Sequence, residues 1–294
     1  MKKIILPLAL SILTACAQLP KTTEATVPTE SQKLSPAQSG YLKVNGLDLY
    51  YETYGEGEPL VLLHGGGSDI HVSFGRGIAT LAKHFRVIAI DEQGHGKSPA
   101  SSRVFGFENT AQDIAAALKQ LNIEKAKFIG FSNGATTGMY LAILHPQLMT
   151  RMVLGSGLYS RNGAPSGFWD MMKKGGLESM PQELKDAYVK RAPNPQDLVK
   201  MFESDSTRMR TFKDIPEKSI RAVKIPVLIM QTDQDVPTLE HGLHVTKLLP
   251  QGHFAVLPGS HDNYIGDLSK DSPALAQASL NIMIEFLKAP AEKK

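Results

Sequence analysis

The sequence has almost no cysteine and little net charge. It has one cysteine and one tryptophan in 294 residues. A single cysteine excludes an intrachain disulfide framework. The 32 Lys and Arg nearly balance the 29 Asp and Glu, so nothing in the net charge favours a nucleic-acid partner. With 42% hydrophobic residues, the composition is that of an ordinary globular chain.

The N terminus has the layout of a secretory signal. Lys2 and Lys3 precede an apolar run at residues 4–13, which is too short to span a bilayer as a mature helix. The small residues Thr14 and Ala15 then lead to Cys16. This junction resembles a lipobox, where bacteria cleave before a cysteine that they acylate. We therefore expect a signal peptide at residues 1–15 and a lipid anchor on Cys16, with an ordinary signal peptide as the alternative.

The residue after Cys16 is Ala17 rather than aspartate. In Gram-negative lipoproteins this favours sorting to the outer membrane, facing the periplasm. Residues 17–40 are rich in Thr, Ser, Pro, Gln and Glu and lack aromatic residues, a composition that cannot bury enough surface to fold. Residues 16–40 are thus predicted to be a lipidated, flexible tether, with folded structure beginning at Tyr41.

Strand and helix patterns alternate after Tyr41. Alternating apolar residues flank the turn Asn45-Gly46 and predict two antiparallel edge strands. Continuous apolar runs predict strands buried on both faces at residues 60–63, 86–90, 127–131, 152–154 and 227–230. Helical patterns occupy residues 109–121, 134–144 and 239–249. The alternation is typical of an α/β fold with a parallel sheet.

The pattern changes between the two halves of this sheet. Residues 158–223 contain five prolines, many methionines and no buried-strand run. We interpret them as a helical cap inserted between core segments 41–157 and 224–290. Most of the apolar cap residues are expected to form the cap's own core, and a minority to line a pocket.

A Gly-x-Ser-x-Gly pattern at residues 130–134 carries the chemistry. It follows a buried strand and precedes a helix, the context in which such a turn projects its serine as a nucleophile. A chance match of five residues is the alternative, and the context argues against it. Ser132 is therefore the predicted nucleophile.

A serine hydroxyl needs a base to take its proton and a carboxylate to hold that base, in the order Ser, Asp, His. Of the nine histidines, His261 lies in a loop just after a predicted strand and can reach the carboxyl edge of the sheet. Asp233 and Asp235 both follow the strand that ends at Met230. We predict Asp235 as the acid and Asp233 as a solvated turn residue.

The tetrahedral oxyanion needs hydrogen-bond donors. The backbone amides of Asn133 and of Gly66, within the triple glycine 65–67, are predicted to supply them. Two weaker patterns are set aside. Residues 96–98 lack the first glycine of a phosphate-binding loop, and His241 and His244 lack the spacing and further ligands of a zinc site.

Residues 41–290 resemble the α/β-hydrolases that carry a helical cap after the sixth strand. The resemblance rests on residues 64–66, the motif Asp91-x-x-Gly94-x-Gly96-x-Ser98, the elbow, Asp235 and His261. It implies a mostly parallel, eight-stranded sheet flanked by helices, and it makes the Asp91 motif a structural turn. The family usually has glycine where this chain has Thr232, which is a departure beside the acid. A serine nucleophile argues against the dehalogenases and epoxide hydrolases of similar layout.

The sequence therefore predicts a carboxylesterase-like serine hydrolase that forms an acyl-enzyme on a small to medium apolar ester, thioester or lactone. No cofactor or metal is expected. An amide or carbon-carbon bond hydrolase with the same triad is one alternative. A catalytically silent binding lipoprotein of the cell envelope is another.

Overall fold

The computed structural model describes residues 34–267 and 272–290. The predicted signal, Cys16 and most of the predicted tether lie outside the described residues. The strands are β1 (Gln38–Val44), β2 (Leu47–Tyr54), β3 (Pro59–Leu63), β4 (Arg86–Ile90), β5 (Ala126–Phe131), β6 (Met149–Gly155), β7 (Val227–Gln234) and β8 (Gly252–Ser260). The helices are α1 (Ile70–Phe74), α2 (Ile78–Leu81), α3 (Phe107–Gln120), α4 (Asn133–Leu144), α5 (Phe168–Lys174), α6 (Gln182–Arg191), α7 (Leu198–Arg210), α8 (Glu217–Arg221), α9 (Leu239–Leu248) and α10 (Pro273–Lys288). None of these helices is both long and apolar enough to cross a bilayer.

The strands form one eight-stranded sheet in the order β1-β2-β4-β3-β5-β6-β7-β8. Strands β3 to β8 run parallel to one another, whereas β2 is antiparallel to both β1 and β4. The predicted fold class, a mostly parallel eight-stranded sheet flanked by helices, is confirmed. Because parallel strands end at the same edge, the loops after β3, β5, β6, β7 and β8 meet there.

Strand β1 begins earlier than the sequence predicted. Gln38 pairs with Thr53 and Gly40 pairs with Tyr51, so the ordered ladder starts three residues before Tyr41. The polar composition of this stretch hides it, because an edge strand can be stabilised by backbone hydrogen bonds while its side chains stay exposed. The structure therefore shortens the predicted tether of residues 16–40 at its C-terminal end.

The sheet is buried on both faces because apolar side chains occupy both sides of its central strands. Along β3, Val61 and Leu63 contribute to one core cluster, and Leu60 and Leu62 contribute to the other. The first cluster includes side chains from α3, α4 and α9, and the second includes side chains from α1, α2 and α10. This three-layer packing holds the loops at the carboxyl edge in fixed positions.

A helical segment separates β6 from β7. It contains α5, α6, α7 and α8, and its small apolar core includes Met180, Tyr188 and Met201. We call α5, α6 and α7 the cap helices. Two arginines, the half-buried Arg191 on α6 and the buried Arg208 on α7, form ion pairs with carboxylates of the sheet loops. The cap helices are thereby attached to the core by charge as well as by apolar packing.

Candidate active site

Ser132 lies in a tight turn between β5 and α4. Its backbone φ is 53°, a left-handed conformation that a non-glycine residue adopts only where the surroundings enforce it. The flanking glycines permit this turn: a Cβ at Gly130 would lie 2.5 Å from the Gly134 carbonyl oxygen, and one at Gly134 would lie 2.1 Å from that of Leu63. The turn thus places the serine hydroxyl at the carboxyl edge of the sheet.

The structure brings Ser132, His261 and Asp235 together. The Ser132 Oγ lies 3.0 Å from the His261 Nε2, and the His261 Nδ1 lies 2.5 Å from the Asp235 Oδ1. The ring of Phe131 packs against the imidazole, with 5.1 Å between ring centroids. Because Nδ1 faces a carboxylate, Nδ1 carries the proton in the neutral ring and Nε2 is left to accept one from Ser132.

Asp235 is held as an acceptor on both carboxylate oxygens. Its side chain is fully buried, and the backbone amides of Thr232 and Val236 donate to it at 3.0 and 2.7 Å. The amide at Thr232, where the family usually has glycine, therefore contacts the acid directly. Asp233 is exposed and accepts from the Gly259 amide at 2.8 Å, so it does not face the histidine.

The two residues predicted to supply oxyanion donors, Gly66 and Asn133, lie close to each other beside the serine. Asn133 is the first residue of α4, so its backbone amide has no acceptor within the helix. Gly66 approaches the Asn133 side chain so closely that a Cβ at position 66 would lie 2.3 Å from Nδ2. Its neighbour Gly65 lies against the Ser132 Cβ. A side chain at either glycine would enter the space next to the nucleophile.

An apolar cavity of about 300 Å³ opens onto Ser132 and His261. Its walls come mainly from the cap helices, the turns between them and the loops after β6 and β7. The apolar lining residues are Leu158, Phe168, Met171, Met172, Met180, Pro181, Leu184, Met201, Phe202, Met209 and Val236. Methionine side chains are flexible and polarisable, so such a wall adapts to apolar groups of different shape.

One carboxylate interrupts this apolar lining. Asp205 on α7 accepts from the Asn133 Nδ2 at 3.2 Å and from the Arg208 Nε at 2.9 Å. Burial would raise the pKa of Asp205, but the Arg208 guanidinium and His95 lower it below its usual range. Arg208 is itself fully buried and donates to Glu92 at 2.7 Å. The cavity therefore has an ionised carboxylate in contact with Asn133, the residue that follows Ser132.

The residues that the sequence set aside have structural contacts. Asp91 accepts from the amides of Ile70 and Lys97 at 3.1 and 2.8 Å, which fixes the turn after β4. His241 accepts from the Tyr159 amide at 3.1 Å, whereas His244 pairs with Glu217. In residues 34–267 and 272–290 there is no group of three or more His, Cys, Asp or Glu that could hold a metal ion.

Sequence reasoning missed three side chains at this site: Ser156, Tyr264 and Asp205. Ser156 donates to Asp235 at 2.5 Å and lies 2.8 Å from the Tyr264 hydroxyl. Its position gave a signal, because it follows a buried parallel strand and so belongs to the same sheet edge as the triad. Asp205 gave none, because its approach depends on how the cap helices fold over the core.

Comparisons with known proteins agree with the fold. Residues 58–198 match the family model described as alpha/beta hydrolase fold. The chain is 30% identical over 117 residues to 2-hydroxy-6-oxo-6-(2'-aminophenyl)hexa-2,4-dienoic acid hydrolase of Metapseudomonas resinovorans, but this match covers only 39% of the chain and 40% of that protein. It is 29% identical over 245 residues to the human serine hydrolase BPHL, covering 77% of the chain and 81% of that protein.

Solved structures are similar over more of the chain. A meta-cleavage product hydrolase from Pseudomonas fluorescens IP01 has a TM-score of 0.68 at 20% identity, covering 86% of this chain and 97% of that one. An enol-lactonase from Burkholderia xenovorans LB400 has a TM-score of 0.66 at 23% identity, covering 85% of this chain and 100% of that one. At such identities the similarity shows the shared fold.

Proposed function

Because this chain has the α/β-hydrolase fold, we propose that it is a serine hydrolase that cleaves a carboxylic ester, thioester or lactone of small to medium size. The observation that carries the proposal is the continuous hydrogen-bonded path from Ser132 through His261 to Asp235 at the floor of an apolar cavity. That path supplies an activated nucleophile, and the cavity supplies a dry environment for an acyl group.

The proposed reaction proceeds through an acyl-enzyme. His261 takes the proton of Ser132 as the hydroxyl oxygen attacks the substrate carbonyl, and Asp235 stabilises the imidazolium that forms. The amides of Gly66 and Asn133 donate to the oxyanion. His261 then gives its proton to the leaving group, and a water molecule, activated by the same histidine, releases the acyl group.

The charge of Asp205 supports an uncharged substrate. Among the described residues that line the cavity, only Asp205 and His261 have an acidic or basic side chain. An anionic substrate would face it without a compensating cation in the wall, since Arg208 is fully buried behind Asp205. The relative from Metapseudomonas resinovorans is named for a dienoic acid, so this observation favours a neutral ester over a carbon-carbon substrate of that kind.

Covalent labelling tests the mechanism. We expect a fluorophosphonate probe to label the purified wild-type protein at Ser132, because the reagent requires an activated serine. Labelling should be lost in Ser132→Ala and should fall by at least about 1,000-fold in rate in His261→Ala. A folded wild type that resists the probe would contradict the hydrolase mechanism and favour the binding-protein alternative.

A matched substrate pair tests the charge argument. We expect kcat/KM for the nitrophenyl ester of a neutral six-carbon acid to exceed that for an equally long acid bearing a terminal carboxylate by roughly 10- to 100-fold. Asp205→Asn should narrow this ratio, with Asp197→Asn, which is outside the cavity lining, as the control. Equal kcat/KM values of the wild-type protein for the two esters would contradict the charge argument, whereas faster cleavage of amides or carbon-carbon bonds than of esters would contradict the ester assignment.

We further propose that the mature protein is anchored by lipid on Cys16, in the bacterial cell envelope, at the periplasmic face of the outer membrane. The support is the order of basic, apolar and small residues before that cysteine. In cells fed an alkyne-bearing palmitate, the wild type should incorporate the label and sediment with outer membranes. Cys16→Ala should do neither, and an unlabelled wild type would contradict the anchor.

A further inference from the structure

Ser156 occupies a backbone position that side chains usually avoid. It is the first residue after β6, its φ is 56°, and its backbone amide donates to the Met230 carbonyl oxygen at 2.8 Å. This hydrogen bond connects Ser156 to β7, the strand that precedes Asp235. Left-handed backbone conformations are disfavoured for residues other than glycine and accumulate at functional sites. Glycine, which would fit here without strain, is absent.

The hydroxyl of Ser156 supplies a reason for the serine. Its Oγ lies 2.5 Å from the Asp235 Oδ2 and 2.8 Å from the Tyr264 hydroxyl oxygen. An ionised carboxylate can only accept, so the single Ser156 proton goes to Asp235. The fully buried Tyr264 hydroxyl can then donate to Ser156 or to the Met230 carbonyl oxygen, which lies 3.2 Å away. When it donates to Ser156, the donors form a directed chain from Tyr264 through Ser156 to Asp235.

The geometry of Asp235 makes this contact consequential. Oδ1 accepts from His261 and from the Val236 amide, and Oδ2 accepts from the Thr232 amide and from Ser156. Thr232 lies near the end of β7 and Val236 directly follows Asp235, so both of these donors come from the same chain segment as the acid. Ser156 directly follows β6, so its hydroxyl fixes the carboxylate relative to a different part of the sheet. Gly155, the residue before Ser156, accepts a hydrogen bond of 2.7 Å from the Ser132 backbone amide.

We propose that Ser156 is a positioning residue of the catalytic machinery, with Tyr264 supporting it. It orients the Asp235 carboxylate toward His261 and, through the shared β6 edge, keeps the acid in register with the serine elbow. This inference rests on the proposed function, because positioning has a consequence only if Ser132 is an activated nucleophile. It assigns a catalytic use to the strained backbone after β6.

The test replaces the hydroxyl without adding strain. Ser156→Gly removes the donor and tolerates the left-handed backbone, so the fold should be retained. We expect kcat to fall roughly 10- to 100-fold with KM changed little, which corresponds to loss of one hydrogen bond to a charged group. The rate of fluorophosphonate labelling should fall in parallel. Tyr264→Phe should give a smaller loss in the same direction.

A pH profile separates positioning from general loosening. His261 and Tyr264 face Asp235 from the loop after β8, and Ser132 faces His261 from the start of α4. Without the Ser156 bond, the carboxylate is oriented less well toward His261 and stabilises the protonated imidazole less. The acid-side midpoint of the kcat/KM profile should therefore move to lower pH in Ser156→Gly. A merely structural role would lower activity without moving this midpoint.

Asn122 provides the matched control, because its φ of 55° is also positive and it is exposed on the loop after α3. Asn122→Gly should leave kcat and the pH profile unchanged. Full activity of Ser156→Gly beside an active wild type would overturn this inference alone. A wild type that the probe does not label would overturn the proposed function and this inference together.

Discussion

His241 shows how burial of a single residue makes this fold sensitive to acid. Its ring is stacked on Tyr159, with 5.7 Å between centroids, and accepts a hydrogen bond from the Tyr159 amide. Burial lowers the pKa of His241 from 6.5 to about 4. The folded state therefore binds a proton here more weakly than the unfolded state does, and protonation favours unfolding.

The sign of this linkage gives a prediction. The contribution of neutral His241 is present above pH 6.5 and is lost as the pH falls toward 4, at a cost of about 3 kcal/mol in the free energy of unfolding. Urea denaturation from pH 7 to 4 should show a shallower decline for His241→Gln than for the wild type. His244→Gln, on the exposed face of the same helix, should retain the wild-type slope. If the free energy of unfolding falls equally with pH in all three proteins, His241 is not the source of the acid sensitivity.

Sequence alone could predict the residues whose role depends on chain order and local pattern. Ser132 lies in a recognisable turn, and His261 and Asp235 follow predicted strands in the expected order; the structure brings all three together. For Ser156, the sequence indicates only its place after a buried parallel strand, and its bond to Asp235, 79 residues away, is not encoded by a motif. Asp205 has no sequence signal, because its contact with Asn133, 72 residues away, depends on how the cap helices pack on the core.

At the level of secondary structure elements, the approach of α4 to β3 leaves no room for a side chain. A Cβ at Gly134 would lie 2.1 Å from the Leu63 carbonyl oxygen and 2.5 Å from that of His64. Both neighbours are backbone atoms of a buried strand end and cannot rotate away. Helix and strand would have to separate, which would displace the elbow and the glycine loop together.

Gly134→Ala should therefore lower the free energy of unfolding by about 3 kcal/mol and reduce fluorophosphonate labelling in the remaining folded protein. Gly106→Ala is the matched control, because a Cβ there meets no atom within 4 Å. It should cost less than about 1 kcal/mol, the range of changes at a helix N-cap. Equal stability of the two variants in chemical denaturation would show that the packing can relax.

Elements with strong periodicity were the ones that the sequence predicted. The central strands are continuous apolar runs, and helices α3, α4 and α9 were each predicted to within two residues at both ends. The short helices α1 and α2 have only five and four residues, too few for a helical period to stand out. The predicted start of β1 was three residues too late, because its first residues are held by main-chain pairing and have no apolar pattern.

Across the whole molecule, Arg208 joins the cap to the core. Its fully buried guanidinium lies between Glu92 on the loop after β4 and Asp205 on α7, and its carbon Cζ lies 4.1 Å from the ring centroid of Phe105. A buried charge is tolerated only when it is paired. Removing the arginine would leave two carboxylates facing each other in the space between cap and core.

Arg208→Met should thus destabilise the protein by about 3–5 kcal/mol, and limited proteolysis should cleave first within residues 161–221. Arg210→Met on the same helix should have no comparable effect, because Arg210 is exposed. If Arg208→Met and the wild type have the same midpoint of urea denaturation, the ion pairs contribute little stability beyond the packing of the side chain. A Glu92→Gln and Arg208→Met double variant should regain part of the lost stability, since it leaves one buried carboxylate instead of two.

The methionine-lined wall has a further consequence when the protein is exposed to oxidants. The described wall includes Met171, Met172, Met180, Met201 and Met209, and Met171 is 56% exposed. Peroxide converts thioethers to sulfoxides, which are polar and stiffer. The adaptability of the wall thus comes with a vulnerability: oxidation would make the cavity hydrophilic while Ser132 stays intact, and a methionine sulfoxide reductase would be needed to restore the wall.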